Sequence, residues 1–247
     1  MKNNFKPFFT PGASVKASAN GYRLGIPRGE KGNYRVAQIT DYTHLARRHF
    51  PAQPPKKLSL HARVSATSLP GTWGYGLWND PFGLSLGFGG KTLQLPALPN
   101  AIWFFHASHE NYLSFGDEPG NGFLAQVFCS PPSRNKIFQL MRAGASYLLS
   151  RRKARAVMRG IVEEKGTRLD LDVTLWHRYS FEWTVRRCAF WVDDSLVLET
   201  SLSPRPPLGM VTWIDNQYAA WHPDGDVQFG VLENDECWLE VEKIEFS

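Results

Sequence analysis

Leu58, Leu60, Ala62, Val64 and Ala66 alternate with Ser59, His61, Arg63 and Ser65. A period of two marks a strand with one buried face. Similar short runs, bounded by Gly, Pro, Asn and Asp, predict strands at 34–42, 71–80, 83–88, 101–107 and 122–128. A denser set follows at 176–185, 188–193, 196–200, 209–214, 227–232 and 237–246. In the last of these Leu239 and Val241 share a face while Ile244 and Phe246 are out of phase, so a bulge near Glu242 and Lys243 is expected. The first twenty residues are polar, with Gly and Pro, and read as irregular.

One stretch has a different period. Residues 136–165 hold no Pro, and Ile137, Met141, Leu148, Val157, Ile161 and Val162 recur at helical spacing among Arg151, Arg152, Lys153, Arg155 and Arg159. This predicts an amphipathic helical insert over 133–166, with Ser133 as cap and Gly166 as terminator. The pattern as a whole predicts an all-β chain: an antiparallel β-sandwich jelly roll over 1–247, a single domain with a helical insert placed to act as a lid.

Composition narrows the class. The 247 residues are 43% hydrophobic, with Trp 9, Phe 16 and Tyr 8, enough for a large core. The net charge of +5 comes with no basic stripe or nucleic-acid motif, so nucleic acid is not an expected partner. Cys129, Cys188 and Cys237 are widely spaced and suggest neither a disulfide framework nor a zinc site. No cofactor fingerprint and no metal-ligand spacing is present, and nothing demands calcium. No apolar run reaches the roughly 18 residues of a membrane span, and the N-terminus does not read as a leader. A cytoplasmic protein is expected. The basic insert leaves peripheral membrane contact open, beside a solvated helix face.

The segment Trp176-His177-Arg178-Tyr179-Ser180-Phe181-Glu182-Trp183, followed by Phe190-Trp191-Val192-Asp193-Asp194, resembles a strand pair of glycoside hydrolase family sixteen. Asp194 stands where that family has Gly. Gly71-Thr72-Trp73-Gly74-Tyr75-Gly76-Leu77-Trp78 is similar to its cleft-lining strand, and residues 213–217 and 238–246 fit its late strands. The resemblance covers residues 58–130 and 170–247 and implies the concanavalin A-like lectin/glucanase fold. The family's retaining enzymes carry Glu-x-Asp-x-x-Glu on one strand, because retention needs two carboxyls about 5–5.5 Å apart. The corresponding strand here, Ile102-Trp103-Phe104-Phe105-His106-Ala107-Ser108, has no carboxylate.

Candidate chemistry therefore lies elsewhere. Asp80 ends an aromatic strand in Trp78-Asn79-Asp80-Pro81, which also reads as a turn. His106 sits where the family places its acids, as a proton shuttle or as a core histidine. Trp213-Ile214-Asp215-Asn216-Gln217 brings a carboxylate and two amides to an aromatic strand end. Asp80, His106 and Asp215 are the candidate acids and bases. Trp73, Trp78, Asn79, Trp103, Phe105, Trp213, Asn216 and Gln217 are the candidate ligand contacts, with sandwich core as the other role for the aromatics.

Three functions follow, in this order. The first is an intracellular enzyme doing non-hydrolytic acid/base chemistry, such as cyclisation or isomerisation, on a mostly apolar small molecule in an aromatic cleft. The second is a lectin-like glycan-binding module with an open groove. The third is a glycoside hydrolase with relocated carboxylates, such as Asp80 with Asp215 or Glu110.

Overall fold

The computed structural model describes residues 5–81, 97–131 and 150–247. Among them, two seven-stranded antiparallel sheets form a sandwich. The first sheet runs, edge to edge, β1 (Lys6–Phe9), β4 (Val36–Thr40), β13 (Gly209–Asp215), β6 (Thr72–Trp78), β7 (Ala101–Ala107), β8 (Gly122–Cys129) and β9 (Glu163–Arg168). The second runs β12 (Ser195–Thr200), β11 (Cys188–Val192), β10 (His177–Trp183), β5 (Lys56–Val64), β16 (Cys237–Phe246), β3 (Gly21–Ile26) and β2 (Ser14–Ala17). A separate hairpin joins β14 (Gln217–Trp221) to β15 (Val227–Val231).

Alternation decides which side chains meet between the sheets. Leu58, Leu60, Ala62 and Val64 of β5 point inward, as do Trp73, Tyr75 and Leu77 of β6 and Ile102 and Phe104 of β7. Aromatic edges lock the layers: Phe104 meets Phe190 with ring centroids 5.3 Å apart at 90°, and Tyr179 with centroids 5.1 Å apart. The bulge in β16 is present. Its register shifts between Glu242 and Glu245, Lys243 takes a φ of 51°, and Ile244 and Phe246 regain the core side. Asp193 and Asp194 form the two-residue turn between β11 and β12, both with positive φ (46° and 71°), the primed-turn conformation for which Gly is the usual choice. The carboxylate of Asp193 holds that turn, accepting from the Arg178 amide at 2.8 Å and pairing with His177 Nδ1 at 2.5 Å.

Several expectations need correction. The first twenty residues are not irregular: β1 pairs with β4 and β2 with β3, because backbone pairing at a sheet edge needs no hydrophobic alternation. The strand expected at 209–214 runs to Asp215, and Gln217 opens a further strand, β14, that the sequence did not suggest. The helix α1 spans Arg151–Arg159 and ends at Gly160, while Gly166 lies inside β9, paired opposite Gln126. Ser150, not Ser133, caps the described helix, its Oγ accepting from the Lys153 amide. The expected cap Ser133, the rest of the insert before residue 150 and the expected strand at 83–88 lie outside the described residues. No helix among the described residues is long and apolar enough to cross a membrane.

Candidate functional site

The first sheet has a second apolar face, turned away from the sandwich interior. Trp213 and Val211 of β13, Trp103 and Phe105 of β7, and Leu124 and Phe128 of β8 form a cluster separate from the main core, with Trp78 of β6 against it. The indoles of Trp78 and Trp213 stack, centroids 5.9 Å apart and 8° from coplanar, and Trp103 stacks on Phe105 at 5.1 Å. Gly74 and Gly76 of β6 make this possible. A Cβ on Gly74 would stand 3.0 Å from Cη2 of Trp213, and one on Gly76 would stand 2.6 Å from Cα and Cβ of Trp103. The glycines thus leave room for large rings to lie across their strand.

This face is roofed in part. Leu113 and Phe115 from the β7–β8 connection and Met158, Ile161 and Val162 from α1 and its exit pack against the cluster. Arg155 joins the roof's parts. Its Nε donates to the Trp221 carbonyl at 2.8 Å, and Nη2 donates to the carbonyls of Ser114 (3.1 Å) and Gly116 (2.6 Å). The guanidinium also lies 5.2 Å from the Tyr112 ring centroid. Arg155 is therefore buried, not part of a solvated basic face, and Arg159 is taken up by a bidentate pair with Asp117 at 2.7 and 2.9 Å.

At one end of the face stands Asp215, opposite Thr72. Its Oδ1 accepts three hydrogen bonds: from the Thr72 amide (3.1 Å), the Thr72 hydroxyl (2.9 Å) and the Gln217 amide (3.2 Å). Trp213 Nε1 donates to the Thr72 hydroxyl at 2.9 Å, so indole, hydroxyl and carboxylate form one chain. Oδ2 receives no hydrogen bond among the described residues. Burial pushes the Asp215 carboxyl up to about 7, against the lowering effect of its donors. Tyr34 lies close enough that burial first, and then the Asp215 charge, raise its phenol above its ordinary value.

The other expected acids and bases are not brought to Asp215. Asp80 follows Trp78, at the far end of β6 from Thr72, so it lies about 20 Å or more away at the rise of a strand. It takes a strained φ of 47°, and Arg47 Nε donates to its carbonyl at 3.0 Å and to that of Asn79 at 2.8 Å. His106 lies on the opposite face of the sheet from Asp215. It stacks on Trp73 at 5.2 Å, 8% exposed, with Nδ1 buried and unpartnered, and burial lowers it to about 4. It is a core histidine beside a core tryptophan, since alternation sends Trp103 and Phe105 outward and leaves 104 and 106 facing in.

Two expected ligand contacts are internal braces. Asn79 donates to the Leu98 carbonyl and accepts from the Asn100 amide. Asn216, fully buried, donates to the Asn33 and Leu232 carbonyls and to Asn234 Oδ1, and accepts from the Arg35 amide. Thr72 was missed. It is one residue before the aromatic run that drew attention to β6, and only the cross-strand register places it on Asp215. No group of three or more His, Cys, Asp or Glu among the described residues is arranged to hold a metal ion.

The comparisons bear on the fold. No protein-family model matches the chain, and no curated protein matches it. A solved legume lectin-like domain from Entamoeba histolytica superposes over 99% of this chain and 89% of its own, with 9% identity and a TM-score of 0.50. A structure described as a native glycosidic hydrolase superposes over 100% and 89%, with 11% identity and a TM-score of 0.50. The fold is that of the concanavalin A-like lectins and glucanases. A family-sixteen glycoside hydrolase from Bacteroides ovatus, solved with a mixed-linkage glucan product, also aligns, over 100% of this chain and 96% of its own, with 7% identity and a TM-score of 0.49. Such a sandwich hosts more than one function, so function is argued from the site.

Proposed function

We propose that the protein binds a glycan at the Asp215 end of the outer face of the first sheet, as a lectin-like module of this fold. One observation carries the reading. Asp215 has one oxygen held by three donors, while the other, Oδ2, receives none among the described residues, at the edge of an indole-lined face. A fixed acceptor beside Trp213 suits a sugar, which offers hydroxyl donors at its rim and apolar C–H faces to aromatic rings.

Ordinary glycoside hydrolysis has less support. The outer face of β7 carries Ala101, Trp103, Phe105 and Ala107. Among the described strand residues of that face the carboxylates are Asp215 on β13 and Glu164 on β9, four strands apart and at opposite strand ends, so more than about 19 Å at ordinary sheet spacing. Glycosidases work with carboxyls about 5–9.5 Å apart.

A second reading rests on the proton affinity of Asp215. A carboxyl near 7 is poised for acid/base chemistry at neutral pH, and α1 packs over the neighbouring aromatics. This retains the enclosed-cleft enzyme, although the fold comparisons lend a cyclase or isomerase no support.

The test is a screen of immobilised neutral oligosaccharides against the protein and its Asp215→Ala variant. Retention of at least one glycan, reduced tenfold or more in the variant, is expected. No retention, or equal retention by both proteins, overturns the proposal. Chemical conversion of a retained ligand, lost in Asp215→Asn, would move the assignment to the second reading.

A further inference from the structure

Along one side of the sandwich, among the described residues, β9 ends the first sheet and β12 ends the second. A pocket of about 540 Å³, open to solvent, lies there, lined by Phe115, Gly116, Arg159, Val162, residues 163–165 and residues 200–202. Its size falls within the usual range for small-molecule sites. It is distinct from the Asp215 end, separated from it by the width of four strands, about 19 Å.

Glu164 is the central group. Its Oε1 is held by the Ser114 hydroxyl at 2.5 Å and the Gly116 amide at 2.8 Å. Its Oε2 is buried and has no hydrogen-bond partner. A desolvated carboxylate oxygen without a donor is costly, so the arrangement favours anything that brings a donor to it. Phe115, Val162 and Leu202 supply apolar wall, and Thr200 and Ser201 supply hydroxyls. The formal charges of the lining balance, with Arg159 and Lys165 against Glu163 and Glu164, and Arg159 is already committed to Asp117.

We propose that this side cavity is a second binding site, for a neutral, hydroxyl-rich small molecule of the size of a mono- or disaccharide, with Glu164 Oε2 accepting from its hydroxyls and Phe115 against its apolar face. The balanced lining disfavours an anionic ligand, which would meet Glu164, and the hydroxyls of residues 200 and 201 meet further polar groups. The site does not depend on Asp215 for any contact.

The experiment is a calorimetric titration with cellobiose, maltose, lactose and glucuronate, on the unaltered protein and on Glu164→Gln and Asp215→Asn. Glu164→Gln keeps an acceptor for Ser114 and Gly116 while replacing the free acceptor with a donor. At least one neutral disaccharide saturates the protein, binds at least tenfold more weakly to Glu164→Gln, and binds Asp215→Asn within twofold of the original. The proposal is overturned by saturation with none of the three, by unchanged binding to Glu164→Gln, by preference for glucuronate, or by loss of binding in both variants. Binding lost only in Asp215→Asn would leave the proposed function standing and remove this second site; binding lost only in Glu164→Gln establishes the second site, and the proposed function is then decided by its own oligosaccharide screen. Glu164→Gln is expected to melt no lower than the original. Should it melt lower, Ser201→Ala, at an exposed hydroxyl, carries the same tenfold criterion.

Discussion

Thr72 supplies two of the three donors that hold Asp215: its amide and its hydroxyl converge on the same oxygen, at 3.1 and 2.9 Å. That pairing is cross-strand, between β6 and β13, and among the described residues no donor reaches the second carboxylate oxygen. The carboxylate is nevertheless harder to ionise than a solvated one, because burial outweighs the donors.

The sign of the resulting pH dependence follows from linkage. The folded protein keeps the Asp215 proton up to about pH 7, while the unfolded chain releases it near 3.8. Stability therefore falls as pH rises through that window. Asp215→Asn removes the penalty and retains an acceptor for Thr72 and Gln217. Its stabilising effect should grow from near zero at pH 4 to a few kcal/mol at pH 8, with roughly 4 as the ceiling set by the shift. Urea unfolding of both proteins at the two pH values measures this; a pH-independent difference would contradict it.

Thr72→Val should expose the dependence on the hydroxyl. It strips Asp215 of a donor and leaves Trp213 Nε1 without its acceptor, at a cost of about 1–3 kcal/mol. Thr72→Ser should recover most of the loss. Denaturant midpoints of the pair, with glycan retention as a parallel readout, decide the matter.

His106 predicts acid sensitivity of the core. Burial holds its imidazole neutral to about pH 4, while the unfolded chain protonates near 6.5. Stability is lost as pH falls between those values, by at most roughly 3 kcal/mol. His106→Phe, which preserves a ring against Trp73, should flatten this part of the stability profile. Melting temperatures from pH 7 to pH 4.5 would show the variant's curve falling less steeply than the original's, and equal slopes would refute it.

Arg155 should control the roof. Arg155→Met removes donors from three carbonyls, two on the β7–β8 connection and one at the end of β14, and is expected to cost about 2–4 kcal/mol. Its more specific effect is greater acrylamide quenching of tryptophan fluorescence, since Trp103 and Trp213 lie beneath the segments that Arg155 ties together. Equal quenching in a folded variant would count against that role.

The legible parts of the molecule were those with strong local signals. The alternation in β5 and the apolar runs of β6, β7 and β13 mark strands because each buries at least one face, and the phase break in β16 marks a bulge because Ile244 and Phe246 must return to the core. The resemblance around residues 176–194 pointed to the right sandwich. The short edge strands β1, β2 and β9 were not legible, because their pairing rests on backbone groups that every residue carries.

The site was legible only as single residues. Asp215 and Trp213 stand two apart on one strand, so their common face follows from the sequence itself. His106 and Trp103 are three apart, which already separates their faces, but which face is the interior depends on the second sheet. Thr72 meets Asp215 through register, Asn216 becomes a brace through contacts with residues 33, 35, 232 and 234, and Arg155 becomes buried through carbonyls of two distant segments. Sequence determined the strands with strong alternating or apolar runs, the absence of a carboxylate on β7 and the identity of the acid at the end of β13. Tertiary structure alone decided which side chains share a surface, because strand order and register, not chain separation, set the distances across a sheet.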